Sequence, residues 1–209
     1  EMLEMASLGA KVLQTRSVEL AMNHRVRLQV ASSFVDAPGT MVVDEEEIME
    51  KEIVSGIAHS GNEAKITLVK VPDNPGIAAS IFGPLADASI VVDMIVQNVS
   101  EDGKATDLTF TVPTADLPRT LARIEEANTS LGGGGIESDA GIAKVSVVGV
   151  GMRTHSGVAA RMFEVLSSNG INIQMISTSE IKISVVIKEE HTEKAVEALH
   201  RAFELHELA

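Results

Sequence analysis

Apolar residues along this chain follow two periods, one of strands and one of helices, and the same succession occurs twice. Ile66, Leu68 and Val69 predict a buried strand ending at Val71. Ala78, Ile81, Phe82 and Leu85 then fall at i, i+3, i+4 and i+7, the spacing of one helix face. The run Ile90 to Val96 predicts a second strand, Leu108, Phe110 and Val112 alternate as a third with a polar outer face, and Leu117, Leu121 and Ile124 mark a closing helix. Further on, Ala159, Met162, Phe163 and Leu166 repeat the first helix, Ile171 to Ile176 the strand, and Ile181, Ile183, Val185 and Ile187 the alternating strand. Ala195, Ala198, Leu199, Ala202 and Phe203 repeat the closing helix.

The segments themselves align. GIAASIFGPLADASIVVDMIVQ, from Gly76, matches GVAARMFEVLSSNGINIQMIST, from Gly157, without a gap. AKITLVKV from Ala64 matches AKVSVVGV from Ala143 upstream, with two extra residues before the glycine of the second copy. Such a repeat sets the domain plan. Each copy reads strand, helix, strand, strand, helix, so the fold class is α+β with two ferredoxin-like βαββαβ domains. The first spans 64–139. The second, 143–209, lacks a final strand, and EIVSGIAHS, Glu52 to Ser60, is predicted to supply it, nesting the first copy inside the second. An ordinary connector is the alternative reading of that segment.

Local punctuation refines this plan. Asn74-Pro75 suggests an N-cap and first helical position, and Asp102-Gly103 a hairpin turn. Gly83-Pro84 lies inside a helical pattern, where proline costs roughly 3 kcal/mol, and predicts a kink or early end. Gly132 to Gly135 read as a flexible linker. Residues 1–45 stand outside the repeat: a helix Met2 to Gly9, a helix Arg16 to Met22, a strand Arg27 to Phe34, and a solvated linker from Gly39 through Asp44 to Glu52. That fragment cannot enclose a core of its own.

Composition narrows the chemistry. Tryptophan and tyrosine are absent among the 209 residues and phenylalanine occurs five times, so the cores rest on aliphatic residues and methionine. The absence of cysteine removes disulfides, thiolate catalysis and Cys-ligated zinc. A net charge of -13 repels phosphate backbones and argues against nucleic acid as a partner. No apolar stretch of about 20 residues suggests a membrane span, and a cytoplasmic protein is expected.

GVGMRTHSG, Gly149 to Gly157, follows a strand and opens a helix as a dinucleotide-binding turn does, but Thr154 occupies the third glycine position of that pattern. The histidines do not cluster at metal-ligand spacing. The turn VPDNPG, Val71 to Gly76, is more informative. Free N–H groups at the following helix start suit the carboxylate of an amino acid. Asp73 suits its ammonium group, and Gln97 both donates and accepts. Simple helix capping by Asp73 and Asn74 is the competing account.

VPDNPGIAASIF, VVDMIVQNVS with the following DGKATDLTFT, and GMRTHSGVAARMFEVLSSNGINIQMISTSEIKISVVI resemble the tandem ACT domains of aspartate kinase. EMLEMASLGAKVLQTRSVELA, Glu1 to Ala21, resembles the end of its amino-acid-kinase domain. The resemblance implies a regulatory region that binds end products, threonine and as a second candidate lysine, for allosteric feedback inhibition of the first step of aspartate-family amino-acid biosynthesis. It implies a homodimer in which the first ACT domain of one chain packs beside the second of its partner. It also implies association with an aspartate kinase catalytic domain or subunit. Carried over, the effector positions are Asp73, Gly76, Ile77, Ala78, Val91, Val92, Asp93 and Gln97, faced by Asn172, Ile173, Ser179 and Glu180. Ser100 and Thr109 match positions that govern feedback sensitivity. Met152 to Ser156 depart from the acidic, proline-containing turn of the first copy, which argues against an equivalent second site. The lysine-glycine-glycine nucleotide motif of the family's kinase domain is not in this sequence. The chain is therefore expected not to phosphorylate aspartate alone and to carry no cofactor, ATP and Mg belonging to the kinase domain. The rival functions are a nucleotide-binding enzyme using Gly149 to Gly157 and a ligand-free dimerisation scaffold.

Overall fold

The computed structural model describes residues 1–44, 47, 53–99, 105–153 and 155–205. In chain order its elements are α1 (Met2–Ser7), α2 (Thr15–Asn23), β1 (Leu28–Val30), β2 (Thr40–Val42), β3 (Gly56–Pro72), α3 (Ile77–Asp87), β4 (Asp93–Val99) and β5 (Ala105–Pro113). There follow α4 (Leu117–Leu131), β6 (Ile136–Val148), α5 (Val158–Ser168), β7 (Met175–Thr178), β8 (Lys182–Lys188) and α6 (Thr192–Ala202). They form two compact units: residues 61–143 with 188–190, here the first module, and residues 1–60, 144–187 and 191–209, here the second.

In the first module the strands lie in the order β4-β5-β3-β6, the ferredoxin-like order. Ile66, Leu68, Ile81, Leu85, Phe110 and Ile124 are fully buried in its core. The ring of Phe82 meets Phe110 edge-on, centroids 5.2 Å apart. In the second module the order is β3-β6-β8-β7. Its core joins Val145, Val147, Val185 and Ile187 of the sheet to Met162 and Leu166 of α5 and Ala195 and Leu199 of α6. The final strand of this module is Gly56–Ser60, the opening part of β3.

Several local expectations are corrected. The segments 52–60 and 64–71 are not separate strands: β3 runs unbroken through Gly61 and Asn62, because the pairing partners on its flanks outweigh weak strand propensity at those two residues. The second strands begin at Asp93 and Met175, later than Ile90 and Ile171. Both isoleucines instead close the preceding helix, donating N–H to Leu85 and Leu166 at 2.9 Å with their side chains buried. Helix α3 does not end at Pro84 and runs on to Asp87. Full burial of Ile81 and Leu85 holds the turn against the missing hydrogen bond. Its N-cap is Gly76 and not Asn74.

The outer face of β5 is polar, as expected, with Asp107 exposed, Thr109 half-buried and Thr111 fully buried. The glycine run is not a free linker. Gly134 donates to the Val69 carbonyl at 2.8 Å, Val69 donates to Gly135 at 2.9 Å, and Asn128 Nδ2 donates to Gly134 at 2.9 Å. In residues 1–44 the predicted strand shrinks to β1, paired antiparallel with β2. Asp102-Gly103 and most of the segment 44–52 lie outside the described residues. Among the described residues no helix is long and apolar enough to cross a membrane.

The repeat persists in backbone detail. Ser89 and Gly170 occupy matching positions after α3 and α5, at φ 55° and φ 72°. Left-handed backbone costs a non-glycine residue roughly 1–2 kcal/mol, and a Cβ added at Gly170 meets nothing within 4 Å. Gly170→Ala is therefore expected to lower stability by about 1 kcal/mol through conformation alone. Ser89→Gly should raise it slightly. Denaturant midpoints at unchanged slope test both, and a neutral Gly170→Ala would contradict the assignment.

Candidate functional site

Two matching helix starts carry the features singled out from the sequence. Gly76 and Gly157 both adopt left-handed backbone, φ 96° and ψ -10° against φ 102° and ψ -9°, and neither α3 nor α5 has a side-chain cap. Their carbonyls accept from Ser80 N and Arg161 N, at 3.0 and 2.9 Å. In α3 the first N–H, that of Ile77, donates back to Asn74 O at 3.2 Å; the helix start as a whole favours negative charge.

The first start is exposed and acidic. Asp73 is half-buried in the turn, Asn74 and Gly76 are exposed, and Ala78 is exposed on the first turn of α3. Ile77 is half-buried and packs on the module core. The second start is built differently. A short 3-10 turn, Val150–Arg153, precedes it. Arg161 replaces Ser80, donating to the Ala202 carbonyl with its guanidinium 5.8 Å from the centre of the Phe203 ring. A cavity of about 470 Å³ opens there, lined in part by His155, Ser156, Arg161 and Phe203.

Not all the predicted residues of the first module gather at one place. Asp93 stands opposite Thr111 and Pro72 opposite Ala105 on the same strand β5. Six residues separate those levels, about 20 Å at the usual strand rise. Val91, Val92 and Asp93 therefore lie toward the far end of the sheet from Asp73, Gly76, Ile77 and Ala78. Gln97, exposed opposite Leu108, is halfway along. Val91 is 70% exposed, Val92 packs on the core, and Asp93 Oδ1 accepts Met94 N at 2.8 Å. Thr109 is half-buried beside β4, its hydroxyl 3.0 Å from that of Thr67. Ser100 lies outside the described residues.

In the second module Asn172 is exposed and Ile173 packs on the core. Ser179 and Glu180 form the exposed β7–β8 turn. Ser179 N donates to Lys182 O at 2.9 Å, and Glu180 pairs with Arg153 at 3.3 Å. Sequence reasoning missed this Arg153 partnership and the contacts of Glu1 and Glu4 with the same region. Partners so far apart in the chain leave no periodic signal.

The dinucleotide alternative meets a steric objection. Gly149 is buried, and a Cβ there would overlap the Ile53 carbonyl oxygen and lie 2.7 Å from Val54 Cα. Its missing side chain admits the neighbouring backbone, leaving no access for a pyrophosphate. Among the described residues no group of three or more His, Cys, Asp or Glu could hold a metal ion.

Comparison with known proteins agrees with this architecture. The ACT domain family matches residues 65–128 and again 145–203. The aspartokinase of Pseudomonas aeruginosa is 56% identical over 207 residues, covering 98% of this chain and 50% of that protein. The chain thus spans about half the length of the curated relatives it matches. A crystal structure of aspartokinase alpha and beta subunits is 51% identical, with a TM-score of 0.68 over 72% of this chain and 99% of that one. The ligand-free regulatory subunit of aspartate kinase from Thermus thermophilus is 41% identical, with a TM-score of 0.69 over 73% of this chain and 99% of that one. With two ACT modules in tandem and this identity across whole regulatory subunits, the chain belongs to the aspartate kinase family, of which it carries the regulatory region.

Proposed function

We propose that the chain senses threonine, with lysine as a second candidate, and feeds that signal back to an aspartate kinase catalytic domain or subunit. The observation that carries this reading is the exposed, uncapped start of α3 at Gly76, with Asp73 beside it. First-turn N–H groups beyond that of Ile77 take the amino acid's carboxylate and Asp73 its ammonium, a complementary pair of charge-assisted bonds. ATP and Mg act on the catalytic side and are not bound here.

The wide separation of Val91–Asp93 from Asp73–Ala78 favours a pocket completed by another chain. Asn172 and Ile173 are the repeat counterparts of Val91 and Val92, so a partner's second module would present them to the Asp73 turn of the first. Ile95 on β4 and its counterpart Ile176 on β7 are 54% and 45% exposed, on strands at the sheet edges. Exposed apolar edges of this kind suit pairing between chains. Exposed Leu20, Met22, Val26 and Phe34 in the segment before β3 suit contact with a catalytic domain.

A thermal-melting screen against the protein amino acids, at fixed protein concentration, tests the proposal. Ligand at a hundredfold excess over Kd adds about 2.7 kcal/mol. For a chain of this size that amounts to a rise of roughly 5–10 °C. Asp73→Ala should remove a charged hydrogen bond worth about 1.5–3 kcal/mol, weakening threonine by ten- to a hundredfold. Gln97→Ala should weaken it less. Full stabilisation of both variants would discard the site, and no response to any amino acid would favour the scaffold.

A further inference from the structure

Within the second module the carboxylates of Glu1, the N-cap of α1, and of Glu4, in its first turn, reach Val150 and Lys182, each close to the β7–β8 turn through one further contact. Glu1 Oε1 accepts Val150 N at 2.7 Å and Ser55 Oγ at 2.6 Å. Glu4 Oε2 meets Lys182 Nζ at 2.9 Å, both groups about 30% exposed. Glu1 and Glu4 are three positions apart, so they share one side of the chain where the helix begins. Val150 opens the turn that ends at Arg153, and Arg153 pairs with Glu180. Lys182 follows Glu180 by two residues and its carbonyl accepts Ser179 N. Gly149 N, one residue before Val150, donates to Ile181 O at 2.9 Å. Ser179 and Glu180 are thus tied to α1 by two short routes, one through Arg153 and Val150 to Glu1, the other through Lys182 to Glu4.

We infer that these contacts form a relay by which occupancy at the β7–β8 turn changes the hold on α1. A ligand that engages Glu180 alters its pairing with Arg153. The Val150–Arg153 turn then sits differently against Glu1, while a shift of Ser179 is felt at Lys182 and Glu4. An effector drives this only as far as its affinity differs between the two arrangements. Glu4–Lys182 is a half-buried pair, for which loss of one partner costs more than at a fully exposed bridge. The relay rests on the proposed sensing role and on Ser179 and Glu180 being among the effector positions that the family resemblance implies. Glu1, Glu4 and Lys182 act through other residues and are positioning residues.

The test uses the full 209-residue chain with threonine as probe, reading binding by calorimetry and amide hydrogen exchange at Met5, Leu8 and Val150. Saturating threonine should change exchange at these amides about fivefold or more, the lower range of allosteric coupling. In Glu1→Ala/Glu4→Gln threonine should bind within about threefold of the wild type while the exchange response falls below about twofold. Glu4→Lys alone should lose the response, and adding Lys182→Glu should restore it by exchanging the charges. These two variants decide the matter if the double variant folds poorly. Binding with no response at α1, or a response unchanged in every variant, overturns the relay and leaves threonine sensing standing. Silence in the calorimeter overturns the sensing role, and the relay with it.

Discussion

Phe110→Ala is expected to lower the stability of the first module by about 3–5 kcal/mol, the range for truncating a buried phenylalanine. The side chain is fully buried, stands opposite Ile66 in the β3–β5 register, and is met edge-on by Phe82. A chain with five phenylalanines and no tryptophan or tyrosine has few large groups with which to refill such a void. Part of the loss is the ring-to-ring contact, about 0.5–1.5 kcal/mol. The remainder is transfer of the side chain and a cavity enclosed by Leu68, Leu85 and Ile124 that rigid strands cannot close. Phe110→Leu, which fills most of the space, should cost about half as much. The measurement is a denaturation curve together with exchange of α3 and β5 amides. Wild-type protection of those amides in Phe110→Ala would refute the packing account.

Gly149→Ala should destabilise the second module by about 3 kcal/mol or more, at the upper end of overpacking. The added methyl group would occupy the space of the Ile53 carbonyl and Val54 Cα, and neither can swing aside as a side-chain tip can. Moving them strains Ser55 N to Val148 O, 2.8 Å, and withdraws Val54 from the core. The same substitution at Gly83 supplies the contrast. Gly83 lies inside α3 with nothing within 4 Å of its missing Cβ, so Gly83→Ala should gain about 0.5–1 kcal/mol from helix propensity. Equal effects at the two sites, measured as midpoint shifts, would show that the close approach of Ile53 does not govern stability.

The repeat and the buried faces were legible because they are local. Ile81 and Leu85, or Met162 and Leu166, fall on one helix side whatever surrounds them, and the strand alternation of Leu108, Phe110 and Val112 is equally self-contained. Boundaries were less legible. Ile90 and Ile171 read as strand by their apolar character, yet each serves a helix end through one backbone bond. Gly132 to Gly135 read as loose, yet Gly134 and Gly135 pair with Val69.

The candidate site divides in the same way. The α3 start was visible in VPDNPG because a turn and a helix opening are encoded by neighbouring residues. The position of Val91–Asp93 relative to that turn was not, since it depends on strand registers on both sides of β5.

By itself the sequence determined a duplicated α+β unit, the residues that face each core, and an acidic turn at the first helix start, all consequences of side-chain spacing along a backbone of known period. Only the tertiary structure decided that β3 runs unbroken from Gly56 to Pro72, that the first module's candidate residues lie at two ends of its sheet, and that Glu1 reaches Val150. Those facts arise from pairing and charge contacts between segments far apart in the chain, whose partners are selected by closure of the whole core.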